Sequence, residues 1–125
     1  RYKSSCQVRR VGGLIVLTWD FLKAVSYETA QEKGWFDPPK SFGEEVLMMH
    51  SELSEAIEEF RNGVGGVNSV RVIEGKPEGV PIEFADLVIR LATVCERYNI
   101  DIEEALYRKI TYNKTRPHRH GGKIL

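Results

Sequence analysis

Residues 82–98 are apolar on most sides of a helix. Ile82, Phe84, Ala85, Leu87, Val88, Ile89, Leu91, Ala92, Val94 and Cys95 fill this stretch. A helix without a polar stripe has to be surrounded by other elements, so the segment is expected to be the central helix of a bundle. Yet Glu83 and Asp86 sit inside it, one helical turn apart. A charge within an apolar helix is costly unless it is paired or bound to a metal.

The remaining helices are read around that centre. From Trp19 to Lys33 the apolar residues recur at helical spacing, with Thr18 as N-cap and Gly34 as the terminating glycine. Residues 43–61 are strongly amphipathic. Val46, Met49, Leu53, Ala56, Ile57 and Phe60 share one face, which is expected to pack inward. Asp101-Ile102-Glu103-Glu104 reads as a capping box that opens a last helix, and Pro117 ends it. Residues 62–81 hold five glycines and two prolines, a long loop with room for a short hairpin around Val70–Ile73. Residues 9–13 read as a loop. The fold class is all-α, a single bundle of about four helices. It divides into an ill-defined segment 1–18, a helical domain 19–116 and a basic tail 117–125.

With 125 residues and 42% hydrophobic composition, the chain can bury one core and is not a disordered tract. No apolar run approaches the ~20 residues that span a bilayer. Cys6 and Cys95 do not form a disulfide framework, and the chain reads as cytoplasmic. Equal numbers of acidic and basic residues, 18 each, argue against a stable nucleic-acid partner held by bulk charge.

That neutrality hides a separation of charge. Residues 44–60 carry six acids and no Lys or Arg, whereas residues 107–125 carry six bases and no acid. Glu45, Glu52, Glu55 and Glu59 fall within one helical stripe. A solvated face would explain that stripe alone, but not Glu83 and Asp86. Two carboxylate pairs on facing helices would gather four like charges, which need a divalent cation between them. All-oxygen donors suit Mg²⁺ or Mn²⁺ better than Zn²⁺. A di-iron centre would need Glu-x-x-His motifs, and none occurs.

Lys109, Tyr112, Asn113 and Arg116 share a face of the last helix. Lys109 and Arg116 read either as complements of the helix dipole or as phosphate ligands. Arg90, on the stripe of Glu83 and Asp86, reads as an ion pair with Asp86 or as a phosphate ligand. Trp35 reads equally as a packed aromatic or as a stacking surface for a base.

Ser51-Glu52-Leu53-Ser54-Glu55 followed by Glu83-Phe84-Ala85-Asp86 resembles the EExxE…ExxD signature of the all-α NTP pyrophosphatases, the MazG-like group. Lys33-Gly34-Trp35, Lys76-Pro77-Glu78-Gly79, Lys109, Asn113, Arg116 and His120-Gly121-Gly122-Lys123 fit the same resemblance, which spans roughly residues 19–123. It implies Mg²⁺-dependent hydrolysis of nucleoside triphosphates to monophosphate and pyrophosphate. It further implies that Glu52, Glu55, Glu83 and Asp86 bind metal, with Glu52 or Glu55 as catalytic base. Lys109, Asn113 and Arg116 would contact phosphate or sugar, and Trp35 the base. A homodimer or dimer of dimers is implied, with active sites near subunit contacts. The first glutamate of the signature is Ser51 here. The reading from another class is a non-enzymatic oligomeric helical module that binds RNA or an acidic partner through its basic tail.

Overall fold

A computed structural model describes residues 8–63 and 65–118. Cys6, His120, Gly121, Gly122 and Lys123 lie outside the described residues. The elements run β1 (Arg9–Val11), β2 (Leu14–Val16), α1 (Trp19–Glu32), α2 (Phe42–Asn62), β3 (Arg71–Ile73), β4 (Lys76–Glu78), α3 (Val80–Arg97) and α4 (Ile102–Thr115). The described residues are therefore mostly helical with four helices, as expected, but they are not all-α. The β1–β2 and β3–β4 pairs form two small antiparallel hairpins. The first replaces the loop expected over residues 9–13, because Gly12 and Gly13 both take the positive φ that a tight two-residue turn needs. Among the described residues, no helix is long and apolar enough to cross a membrane.

Local chemistry sets the helix ends. Thr18 caps α1 by accepting from the Phe21 amide, and Gly34, at φ 70°, turns the chain out of it. Ser41 and Glu44 form a reciprocal capping box at the start of α2. Asp101 caps α4 by accepting from the Glu104 amide.

Helix α3 packs against both α1 and α2, so the apolar segment is central. The buried apolar residues are Phe21, Ala30, Ala56, Val80, Ala92, Val94 and Cys95. Most are small, which lets the helix axes approach closely but leaves little large side-chain volume inside. The larger apolar residues are elsewhere. Leu53, Ile57 and Phe60 are exposed, contrary to the inward face expected for α2. The residues of α2 that are buried are Glu45, Glu52 and Ala56. The α2 helix is thus rotated so that acids face α3 and half of its apolar stripe faces out. Helix α4 buries no residue, and Leu106, Tyr107 and Ile110 are exposed on it. It belongs to the expected set of four but stands outside the three-helix core.

Gly79 joins β4 to α3 at φ 132° and is buried. A Cβ there would lie 2.2 Å from the Ser69 carbonyl oxygen. Only glycine accepts both the backbone angle and that approach, so Gly79 fixes the second hairpin against the start of α3. Gly79→Ala is expected to cost about 2 kcal/mol or more of stability, read as a fall in melting temperature.

Candidate metal centre

Two ion pairs, each joining a buried glutamate to a half-buried arginine, cross-link α2 and α3. Arg97 Nη1 donates to Glu45 Oε1 at 2.7 Å, and Arg90 Nε donates to Glu52 Oε1. The helices run antiparallel, so a step of seven residues forward on α2 matches seven backward on α3. One more step brings Glu59 opposite Glu83, and here both partners are acids. Glu59 has its cation from elsewhere: Arg71 of β3 donates to it at 2.6 Å. No hydrogen bond or ion pair from a cation reaches Glu83 among the described residues.

A pocket of about 230 Å³ opens at this unpaired end of the helix pair. Glu52, Glu55, Glu83 and Asp86 line it together with Met48, Ser51, Ile82 and Arg90, and the hairpin contributes Lys76 and Pro77. Carboxylate oxygens of Glu52, Glu55 and Glu83 lie within 4.8 Å of one another. The four carboxylates singled out in the sequence thus meet in one cavity. The close grouping of Glu52, Glu55 and Glu83 and their all-oxygen donor set fit a hard divalent cation, whereas Asp86, exposed, lines the same cavity outside that group. Glu59, Glu78 and Glu83 form an adjoining group of the same span, so Glu83 is shared by both.

The charges distort one another's titration. Burial, followed by the charges of Glu55, Asp86 and Glu52, pushes the Glu83 carboxyl up to about 7. Asp86 is raised by burial and then by Glu52. Glu55 is raised chiefly by its hydrogen bond with Glu52. Burial works against ionisation of Glu52 too, but the Arg90 hydrogen bond leads the contributions that outweigh it and lower this group.

Arg90 pairs with Glu52 on the facing helix rather than with Asp86 one turn away. It also lines a second, largely apolar groove of about 1140 Å³ that runs from the carboxylates to Trp35. Phe21, Leu22, Val25 and Phe36 form much of its wall, and Met48, Glu52, Asp86 and Arg90 are common to both cavities. Trp35 is 57% exposed at the groove.

The α4 residues are placed otherwise. Lys109 lies over the Tyr112 ring, 5.2 Å from its centroid, and Arg116 caps the helix. Lys109, Asn113 and Arg116 line neither cavity. The cations that do line the carboxylate pocket are Arg90 and Lys76, and Lys76 was visible in the sequence only as part of the Lys76–Gly79 string. Comparison of the chain with known protein families, with curated proteins and with solved structures finds no match to any of them.

The Glu83 shift sets a direction for stability. A carboxyl whose folded value is raised from 4.5 to about 7 holds its proton more tightly when folded. Its contribution is complete below the lower value and is lost as pH rises through the upper one. Without divalent cations, melting temperature is expected to fall between about pH 4.5 and 7 more steeply in the parent than in Glu83→Gln. Thermal melts of both proteins across that range check this.

Proposed function

We propose that the chain is a Mg²⁺- or Mn²⁺-dependent nucleoside triphosphate pyrophosphohydrolase, cleaving (d)NTP to (d)NMP and pyrophosphate in nucleotide-pool house-cleaning. The observation that carries this reading is the adjacency of the two cavities. A four-carboxylate pocket for a metal and a polyphosphate opens onto a groove that has an aromatic wall suited to a nucleoside. Glu52, Glu55, Glu83 and Asp86 would hold the cation. Bound there, a divalent cation would offset phosphate charge and acidify water.

The chain's own groups have separable roles. Arg90 fixes one oxygen of Glu52, which leaves that side chain oriented rather than free. Glu55 is exposed in the pocket and has a raised affinity for protons, so it is the better placed of the two candidate bases. It takes the proton as water attacks the α-phosphorus. The bond from that phosphorus to the α–β bridging oxygen breaks, and pyrophosphate leaves with the electron pair. Trp35 and the groove wall hold the nucleoside.

The exposed apolar residues of α2 and α4 favour pairing of two copies, as homodimer or dimer of dimers. In that arrangement Lys109, Asn113 and Arg116 serve a partner's pocket, since they do not reach their own. The detached α4, with its basic end, favours one other reading, a non-enzymatic module binding RNA or an acidic partner. That reading gives no role to the acids gathered at the end of the helix pair.

Phosphorus NMR of the parent with Mg²⁺ and a panel of nucleoside triphosphates is expected to show monophosphate and pyrophosphate as first products. Glu55→Gln is expected to lose that turnover while keeping its fold. Orthophosphate as first product, or no turnover of any nucleoside triphosphate in the panel, defeats the proposal.

Subunit pairing has its own test. Glu55→Gln and Lys109→Ala are each expected to be impaired alone. Co-refolded, they regain activity if Lys109 acts on the partner's site, because one composite site then carries both native residues. Absence of any recovery in a demonstrated mixed oligomer removes this role for Lys109.

A further inference from the structure

Among the described residues, four carboxylates line the metal pocket, against two cations. The two cations are not equally available. Arg90 is engaged with Glu52, which is 4% exposed, and withdrawing the guanidinium would strand a buried charge. Lys76 is the opposite case. Its side chain is 73% exposed, and its Nζ donates to Glu78 Oε1 at 2.8 Å across the surface of the hairpin. Exposed pairs of this kind hold weakly, so the ammonium can exchange Glu78 for another anion at little cost. An ammonium has three donors, and the Glu78 bond engages one of them.

The position of Lys76 is fixed even though its side chain is free to reorient. It opens β4, whose far end is locked to α3 through Gly79 beneath the Ser69 carbonyl. The opposite strand is tied to α2 by the bond from Arg71 to Glu59. The hairpin therefore holds one mobile cation at the edge of the pocket. A polyanion drawn into a pocket of carboxylates by a metal has most need of a cation on the side where its charge extends away from those carboxylates.

We propose that Lys76 is a polyphosphate contact of this site, carried by the β3–β4 hairpin of the same chain. The inference rests on the triphosphate reading above for its ligand class. It supplies in cis the cationic contact that Lys109 and Arg116 do not make within one chain.

The test uses the full chain, Mg²⁺ and inorganic tripolyphosphate, so neither nucleoside recognition nor hydrolysis enters. By titration calorimetry the parent binds the Mg²⁺–tripolyphosphate complex, and Lys76→Ala binds it about 10-fold more weakly, the size of one charge-assisted contact. Lys76→Arg retains most of the affinity. Mg²⁺ binding alone and the melting temperature stay close to the parent in both variants, which separates loss of a contact from loss of fold. Equal tripolyphosphate affinity in the parent and Lys76→Ala overturns the proposal, and so does a parent that does not bind tripolyphosphate. If the parent binds tripolyphosphate through Lys76 but hydrolyses no nucleoside triphosphate, the hydrolase reading falls and this inference stands.

Discussion

The structure depends on two ion pairs, Glu45–Arg97 and Glu52–Arg90, that cross-link α2 to α3 through buried carboxylates and half-buried guanidiniums. They occur seven residues apart on antiparallel helices and hold the two at a fixed rotation. That rotation brings the acids of α2 inward. Arg97 also stacks near the Phe36 and Tyr98 rings, at 5.4 Å from each centroid, so the first pair ties in the loop after α1 as well. The candidate site lies where this regular pattern fails. At the third position an acid stands where the two earlier positions have an arginine. Such pairs add little net stability, but removing an arginine would leave a buried carboxylate uncompensated and is destabilising. The pairs are therefore better understood as devices for register than as sources of strength.

The same rotation explains the thin core. Helix α2 presents Glu45, Glu52 and Ala56 to α3, so its larger apolar residues cannot also be inside. Ala30, Ala56 and Ala92 let the helices approach closely, and Phe21 is the one large ring among the buried apolar residues described. Glu45, Glu52 and Glu83 thus occupy interior surface that a helix pair of this size would ordinarily give to leucine and isoleucine. The Glu83 carboxyl, raised to about 7, records the electrostatic cost of that choice.

Much of this was legible in the sequence, for physical reasons. The helices announced themselves by period and caps, and Thr18, Gly34 and Asp101 behave as read. Glu52, Glu55, Glu83 and Asp86 were identifiable because acids at helical spacing are conspicuous, above all in an apolar helix. The inward face of α2 was not legible. Its acidic stripe adjoins its apolar stripe, and periodicity alone does not say which one a neighbouring helix covers. The partner of Arg90 depends on interhelical register, so the sequence offered only the nearer Asp86 for an ion pair. The first hairpin was hidden by three-residue strands, too short to show alternation, whereas the glycines and prolines of residues 62–81 left room for the second. The detachment of α4 was hidden because Leu106 and Ile110 look the same whether their cover comes from the same chain or from another.

The outward-facing Leu53, Ile57 and Phe60 have one more consequence. Covering these three side chains with a second copy would bury apolar area that folding alone leaves exposed. On the two-copy reading, folding and association are one equilibrium with two faces. The unfolding midpoint then rises with protein concentration, and dilution acts as a mild denaturant. The number quoted as this protein's stability would carry the concentration at which it was measured.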